Sequence, residues 1–384
     1  MVRDVYIIGA NMTRFGEHQE RTLRELGREA CAGALRDAGI EASEVQAGFC
    51  GNALAPMIQG ETGVGQGVFW EVGINKVPIL NIENACASGA TAVHEAWKSI
   101  AGDHCDMAIV VGVEKSVMPK GTTLNVGTTG LETQLGDIFP GAFALMAMRH
   151  MEEFGTTREQ MAQISVKNHY NGTLNPDAQF QKAMTVDEVL ASPMIADPLT
   201  LYSCCPNSDG AAALVLCDAG RARRFGAGAV RIAASVLTSG NYDNNRDITG
   251  WEAERTAAQL AYEIAGLGPR DIDCAEVHDA FSICEIVHYE GLGLCQPGEG
   301  GQLAADGTTA LGGRLPVNPS GGLLAKGHPA GASGVAQIVE LVWQLRNRAD
   351  KRQVDGARTA LAQIMGGSQQ GDVCACTVHI LASA

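Results

Sequence analysis

The chain contains an internal duplication, and this feature constrains its fold more than any other. In the first half, Ala38-Gly39-Ile40 ends a helix-like stretch, and an apolar strand begins at Val45, seven residues after Ala38. In the second half, Ala265-Gly266-Leu267 is followed at the same spacing by an apolar strand that begins at Ile272. A supersecondary unit that recurs in this way predicts that both halves share one structural plan.

A second pair of segments repeats in the same order. Cys86-Ala87-Ser88-Gly89 opens a helix followed by an apolar strand over 107–112, and the segment from His328 to Gly334 opens a helix followed by a strand over 360–366. Strands that alternate with helices of this length predict parallel or mixed sheets covered by helices, so two packed halves give a layered α/β fold. We place the halves at residues 1–225 and 226–384. Ligands bind at the carboxyl ends of strands in such folds.

Residues 116–207 have no counterpart in the second half, and we interpret them as a lid segment. Within it, Thr157 and Gln160 have the spacing of a capping box and predict the start of a helix. The run Phe143–Met148 either lines an acyl pocket or packs in the core, and ordinary packing is the more common fate of such a run.

Composition excludes several classes of protein. The 384 residues carry a formal net charge of -15, which disfavours nonspecific binding to nucleic acid or to anionic membranes. The twelve cysteines lack the paired spacing of a zinc site and indicate reduced thiols in a cytoplasmic protein. The chain begins directly with an apolar strand at Val5-Tyr6-Ile7-Ile8-Gly9, so we expect neither a secretion leader nor a membrane span.

Cys86 is the strongest candidate for a chemical role, because it stands where an apolar strand gives way to a helix. The first N–H groups of a helix have no partner within it and carry partial positive charge, which favours a thiolate. The small residues on either side predict room for a substrate beside the sulfur. In isolation a cysteine is more often a small buried core residue.

Three further segments carry candidate groups. His278 follows a strand in His278-Asp279-Ala280-Phe281, and His328 lies in a glycine-rich turn before a helix. Gly366 and Gly367 end a strand, where bare backbone can present N–H groups to a negative oxygen. The structural alternatives are a strand-end cap for His278 and a turn residue for His328. One cysteine with two histidines predicts a site for thiol acyl transfer.

Together these segments resemble the thiolase superfamily over nearly the whole chain, in particular its sterol-carrier-protein and archaeal-type branch. That branch includes acetyl-CoA acyltransferase-like enzymes and benzoylsuccinyl-CoA thiolases. The resemblance implies the five-layered thiolase fold, a homodimer or higher oligomer, acyl-CoA as substrate and coenzyme A as co-substrate, with no permanently bound cofactor and no metal. It also implies a small partner protein with a zinc ribbon and an OB-fold.

The resemblance implies a role for each candidate residue. Cys86 attacks the 3-keto carbon of a 3-oxoacyl-CoA and carries the acyl group as a thioester, while His328 accepts its proton. His278 and His328 hold the thioester oxygen of the departing enolate. The backbone N–H groups of Cys86 and Gly367 hold the other oxyanion. Residues that bind coenzyme A are not assigned.

The chain departs from the family in one respect. Thiolases generally use a second cysteine as acid and base, at positions that correspond here to Ile364 and Ala280. Cys284 lies four residues after Ala280, one turn further on if a helix begins there, and is a candidate replacement. Otherwise His278 or His328 has to move the proton.

Two rival functions remain open. A decarboxylating ketosynthase-like condensing enzyme uses the same set of one cysteine and two histidines and needs no second cysteine. A weakly active scaffold subunit of a thiolase complex is the other alternative, motivated by the missing cysteine. The acyl substrate is also open: acetoacetyl-CoA, a branched acyl chain, or an aryl substrate such as benzoylsuccinyl-CoA, with the missing cysteine favouring an unusual one.

Overall fold

A computed structural model describes residues 3–118, 134–136, 138–241, 247–369 and 372–383. The strands are β1 (Val5–Met12), β2 (Ala47–Gly51), β3 (Ile79–Ile82), β4 (Met107–Lys115), β5 (Met194–Ala196), β6 (Leu199–Thr200), β7 (Asp209–Asp218), β8 (Val230–Thr238), β9 (Cys274–Glu276), β10 (Thr359–Gln369) and β11 (Asp372–Ser383).

The α-helices of the described residues are α1 (Leu23–Ala38), α2 (Ala55–Ile58), α3 (Val64–Glu71), α4 (Ser88–Ala101), α5 (Phe139–Phe154), α6 (Arg158–Leu174), α7 (Val186–Leu190), α8 (Ala219–Ala222), α9 (Glu252–Ala265), α10 (Ser282–Gly291), α11 (Gly300–Ala305), α12 (Gly322–Lys326) and α13 (Ala330–Leu345). Within this part of the chain, no helix combines the length and the apolar character that a membrane crossing needs.

The large sheet has nine strands in the order β3-β2-β4-β7-β1-β8-β11-β10-β9. The first five strands come from the first half of the chain and the last four from the second. The halves join where β1 pairs antiparallel with β8 and Tyr6 lies opposite Arg231. Strand β2 is parallel to β3 and β4, and β9 is parallel to β10, whereas β7 and β11 are antiparallel to their neighbours. The predicted mixed sheets are therefore present.

Alternate residues along the strands face different helices, and this produces the layers. Ile7 of β1 packs in one apolar cluster with Val93 of α4 and Val335 of α13, so these two helices fill the centre. Ile8, on the opposite face, packs with helix α1. On the far side of the second half, Ile380 of β11 packs with helix α9. The first-half strands and the second-half strands of this one sheet both pack against α4 and α13, so they form two sheet layers. The resulting order of helix, sheet, helix, sheet, helix confirms the predicted five layers.

The two halves repeat more closely than the sequence predicted. Strands β2 and β9 both begin two residues later than predicted, at Ala47 and Cys274. In both halves a single turn of 3-10 helix occupies the intervening residues, over Ala42–Glu44 and over Pro269–Asp271. The predicted strand starts are wrong by the same two residues in both halves because the two halves have the same local structure.

The central helices α4 and α13 approach each other closely at their first turns. A Cβ atom on Gly89 would lie 2.4 Å from the carbonyl oxygen of Gly331, and one on Gly112 would lie 2.3 Å from the same oxygen. A Cβ atom on Gly334 would lie 2.7 Å from that of Ala90. The small residues after Cys86 therefore serve helix packing, and the expectation that they also leave room for a substrate stays a prediction.

The segment 116–207 is described apart from residues 119–133 and 137, which lie outside the described residues. Its capping box is confirmed, since the backbone N–H of Gln160 donates to Oγ1 of Thr157 over 3.2 Å and the reverse bond is 2.9 Å. In helix α5, Met146 is buried in the core while Met148 is exposed, which favours core packing for this run. The lid role and the boundary at residue 225 stay predictions.

Candidate active site

Cys86 lies in a tight turn between β3 and α4. Ala85 has a φ of 48°, in the left-handed region that residues with a Cβ seldom adopt. The hydroxyl of Ser88 accepts from the backbone N–H of Asn84 over 2.9 Å and donates to the carbonyl oxygen of Ala85 over 2.6 Å. These two bonds hold a strained turn that presents a half-buried sulfur.

The end of β10 supports this turn from behind. A Cβ atom on Gly366 would lie 1.9 Å from the carbonyl oxygen of Asn84 and 2.7 Å from the backbone nitrogen of Ala87, so no side chain fits. Gly367 follows with a φ of 68°, and a Cβ atom there would lie 3.5 Å from that of Ala85. The predicted oxyanion donor Gly367 is thus adjacent to the nucleophile turn.

His328 is held in one orientation by three contacts. Its backbone N–H donates to Oγ of Ser208 over 2.9 Å. The hydroxyl of Ser333 donates to the carbonyl oxygen of Pro329 over 3.0 Å, so the 2.8 Å contact between that hydroxyl and Nδ1 of His328 requires a proton on Nδ1. Nε2 is then left as an acceptor, and it lies 3.1 Å from Sγ of Cys86.

His278 is fixed through its backbone. Its N–H donates to Oε1 of Gln363 over 3.1 Å, and its carbonyl oxygen lies 3.0 Å from Nε2 of His288. Nδ1 of His288 lies 2.7 Å from Oε1 of the buried Glu254. The rings of His278 and His328 lie edge to face, with their centroids 5.4 Å apart. The buried Nε2 of His278 has no hydrogen-bond partner among the described residues.

Asp279 joins the segment of His278 to the glycine-rich segment before His328. Its carboxylate accepts from the backbone N–H groups of Leu323, over 2.6 Å, and Leu324, over 3.2 Å, at the start of α12. Asn168 of α6 donates to it over 2.7 Å. Burial, reinforced by the charge of Glu285, raises the pKa of Asp279 to about 7. Asp279 is therefore placed to organise the loops around the site.

The structure brings three of the predicted residues together. Sγ of Cys86 and one ring nitrogen each of His278 and His328 all lie within 4.8 Å of one another. A soft metal ion also binds sets of this kind, so the expectation of no metal stays a prediction. With the acceptor nitrogen of His328 aimed at the thiol, the arrangement is that of a nucleophile and its base.

The resting protonation state differs from the expected thiolate. Burial and, next, the charge of Glu114 raise the pKa of the Cys86 thiol to about 12. Burial lowers the pKa of His328 to about 4. At neutral pH the pair is therefore an uncharged thiol and an uncharged imidazole. The thiolate expectation is wrong because Cys86 precedes the first residue of α4 by two positions and desolvation outweighs the helix terminus.

The positions of the missing cysteine are occupied by packing residues. Ile364 packs with Ala87 and Ala90 under the nucleophile helix. Helix α10 begins at Ser282, two residues after Ala280, and Cys284 is fully buried in an apolar cluster. The acid and base role of Cys284 stays a prediction.

Sequence reasoning missed a neighbour of the site, Cys205. Its backbone N–H donates to the carbonyl oxygen of Ala280 over 2.9 Å. The only sequence signal was the Cys204-Cys205 pair itself, whose spacing is wrong for zinc.

Comparison with known proteins adds independent evidence. A model of the thiolase N-terminal domain matches residues 5–220, and a model described as thiolase C-terminal domain-like matches residues 234–381. Acetyl-CoA acetyltransferase of Methanothermobacter thermautotrophicus is 44% identical, with 96% of this chain and 97% of the relative covered. Benzoylsuccinyl-CoA thiolase subunit BbsB of Thauera aromatica is 40% identical, with 95% of each covered.

Among solved structures, the Ltp2-ChsH2(DUF35) aldolase matches with a TM-score of 0.85 and 25% identity, covering 100% of this chain and 98% of the other. The relatives named acetyl-CoA acetyltransferase and benzoylsuccinyl-CoA thiolase are acyltransferases. The chain belongs to the thiolase family, and it is an acyltransferase with thiolytic or condensing activity.

Proposed function

We propose that the protein cleaves a 3-oxoacyl-CoA with coenzyme A, or runs the reverse condensation, through an acyl thioester on Cys86. The observation that carries this proposal is the 3.1 Å contact between Sγ of Cys86 and Nε2 of His328. The bond from Nδ1 of His328 to Ser333 leaves Nε2 free to accept the thiol proton. Coenzyme A is a co-substrate, and no permanently bound group takes part.

The first step begins from the uncharged pair. The Cys86 sulfur attacks the 3-keto carbon as its proton moves to Nε2 of His328, so the thiolate forms only as it reacts. The keto oxygen becomes an oxyanion, for which the backbone N–H groups of Cys86 and Gly367 are the proposed donors. Removing one donor of this kind costs on the order of a hundredfold in rate.

The second oxygen to stabilise is that of the thioester from which the enolate departs. His278 is the proposed donor, because its buried Nε2 has no partner among the described residues and lies in the cluster with Cys86 and His328. Burial and the neighbouring His328 hold the pKa of His278 well below its ordinary value. A neutral imidazole that carries its proton on Nε2 fits this role.

For the acyl group we propose a branched or aryl 3-oxoacyl-CoA such as benzoylsuccinyl-CoA. Two observations support it: the 40% identity to a benzoylsuccinyl-CoA thiolase subunit, and Ala280 and Ile364 in place of thiols. The test is kcat/KM over a panel that includes acetoacetyl-CoA, a branched 3-oxoacyl-CoA and benzoylsuccinyl-CoA. A clear preference for acetoacetyl-CoA would contradict this substrate and would support the activity that the 44% identical relative's name describes.

We also propose that the enzyme is a homo-oligomer that binds a small partner with a zinc ribbon and an OB-fold. Strand β3 is an edge of the large sheet and exposes Leu80, and unpaired edges invite pairing with a second copy. The name of the structurally similar Ltp2-ChsH2(DUF35) aldolase includes a DUF35 protein, and the Thauera relative is named as a subunit. Mass measurement in solution, alone and after copurification from the native host, tests both parts.

Mass spectrometry of the intact protein and of the Cys86 peptide tests the central proposal. After mixing with the 3-oxoacyl-CoA panel, we expect an acyl adduct on Cys86 in the wild type, none in Cys86→Ala, and release on addition of coenzyme A. A malonyl thioester tests the ketosynthase alternative, which would condense it without free coenzyme A. An adduct on the isolated chain argues against a scaffold subunit. Absence of any adduct, with the partner present, would refute the proposal.

A further inference from the structure

The proposed cleavage leaves one proton without a donor. When the bond between the α and β carbons breaks, its electron pair passes to the α carbon and the thioester oxygen, and the α carbon must then be protonated. His328 holds the proton taken from Cys86, and His278 is assigned to the oxygen. A third weak acid beside the α carbon completes the reaction. The inference below rests on the proposed function.

The segment Cys204–Ser208 runs past both histidine loops. Cys204 forms an isolated antiparallel bridge with Phe281, and Asn207 forms a parallel bridge with His328. At its end, Ser208 accepts the backbone N–H of His328. This segment therefore forms a wall between the loop of His278 and His328, the proposed base for Cys86.

Cys205 lies in the middle of that wall. Its backbone N–H donates to the carbonyl oxygen of Ala280 over 2.9 Å, which places it beside one of the positions that lack the expected thiol. Its side chain is half-buried, so it is not sealed in the core. Burial raises the pKa of the Cys205 thiol well above its ordinary value, and a thiolate at Cys86 would raise it further. The two thiols are thus electrostatic neighbours.

We propose that Cys205 is the acid and base at the α carbon. In cleavage, the Cys205 S–H bond breaks and its proton bonds to the α carbon as the electron pair arrives there, which leaves a Cys205 thiolate. The proton on His328 then returns to that thiolate, so both groups are neutral again. In the second half, His328 accepts the proton of the coenzyme A thiol and gives it to Cys86 as the acyl group leaves. No other reactant is consumed, and condensation follows the same steps in reverse.

Two other thiols fit this role less well. Cys284 is fully buried in an apolar cluster, so its sulfur has no exposed surface at which a substrate could meet it. Cys374 lies behind the nucleophile turn, where its sulfur is 3.0 Å from the position of a Cβ atom on Gly367. Cys205 is the half-buried thiol whose backbone N–H donates to Ala280, in the loop that also presents His278.

A split between two half-reactions tests the proposal. Transfer of a simple acyl group from acetyl-CoA or benzoyl-CoA to Cys86 needs no proton at an α carbon, whereas cleavage of acetoacetyl-CoA or benzoylsuccinyl-CoA does. In Cys205→Ala we expect acylation of Cys86 by the simple thioesters to stay within about threefold of wild type, while cleavage falls by about a hundredfold or more. The matched control Cys295→Ala, which removes a half-buried thiol packed against the same apolar cluster, should keep both rates.

Exchange of α protons gives a second readout that a merely structural role would not move. In heavy water, wild type should exchange the methyl protons of acetyl-CoA, detected by NMR, and Cys205→Ala should lose this exchange. Cys205→Ser, which keeps the size and weakens the acid, should lie between them. Equal loss of acylation and cleavage, or loss in Cys284→Ala with Cys205→Ala unaffected, would overturn the assignment. A wild type that forms no Cys86 adduct would instead refute the proposed function itself.

Discussion

The nucleophile turn before α4 and the base turn before α13 occupy equivalent places in the repeat, yet they are built differently. The nucleophile turn contains a left-handed Ala85 and leaves the Cys86 sulfur with His328 as its hydrogen-bond partner. The base turn holds its histidine at the backbone through Ser208 and at the ring through Ser333. One turn presents a reactive atom under strain, and the other fixes the direction of a lone pair.

This difference shows how a duplicated unit acquires complementary chemistry. Because Gly89 of α4 and Gly112 of β4 have no side chain, the carbonyl oxygen of Gly331 approaches them closely, and the starts of α4 and α13 lie together. The residue placed at each start then decides its role, a thiol at one and an imidazole at the other. Substitutions made in one turn at a time, and compared with each other, test this division of roles.

Removal of the thiol has the largest expected effect. Cys86→Ala should lower kcat for thiolysis by about 10⁴-fold or more, because no covalent intermediate can form. Loss of the absorbance of a 3-oxoacyl thioester measures the rate, and circular dichroism checks that the fold is kept. A residual rate within tenfold of wild type would show that Cys86 is not the nucleophile.

Removal of the base should cost less. His328→Ala should lower the rate of Cys86 acylation by about 10³-fold, since a thiol with a raised pKa then lacks its proton acceptor. The double variant Cys86→Ala/His328→Ala should be no slower than Cys86→Ala, because two groups that act as a unit are not additive. Additive losses in this comparison would mean that the two turns work independently.

A change behind the nucleophile turn should disturb its geometry without removing a reactive group. Gly366→Ala forces a methyl group against the carbonyl oxygen of Asn84, so we expect about a hundredfold loss of acylation and a lower Tm. The control is Gly228→Ala, where a Cβ atom meets nothing within 4 Å. Wild-type rates in Gly366→Ala would show that the turn tolerates displacement.

The sequence was sufficient to predict the convergence of Cys86, His278 and His328, because each stands at an element boundary that the repeat places at one end of the sheets. It did not predict Cys205, whose place depends on a pairing with residues 280–281 that lies far away in the chain. The sequence also did not predict that the Cys86 thiol is uncharged at rest. A helix start is visible in a sequence, whereas the desolvation that opposes it depends on packing from several elements.

The pH dependence of acylation separates an uncharged pair from an ion pair. Because the pKa of His328 is lowered to about 4, its ring stays an acceptor until the pH falls to that value, and acid then removes activity by protonating it. In Asp279→Asn, which removes the carboxyl group that titrates near pH 7 beside the site, we expect the single-turnover rate of Cys86 acylation to stay flat from about pH 5 to 9 and to fall below that range. Rapid quench at each pH measures this rate, with circular dichroism as the check on folding. A midpoint near the ordinary histidine pKa of about 6.5 would contradict the burial effect.

The smallest expected effect tests how the base turn selects its tautomer. Ser333→Ala removes the acceptor for the proton on Nδ1 of His328, so part of the population places that proton on Nε2, where it cannot accept from Cys86. We expect acylation to fall about tenfold, the scale of one net hydrogen bond, while binding of coenzyme A changes little. The matched control is Ser99→Ala on α4, which loses the same kind of bond from a serine hydroxyl to the carbonyl four residues earlier, over 2.9 Å to Glu95. Equal losses in the two variants would mean that the serine supports its helix and not the imidazole.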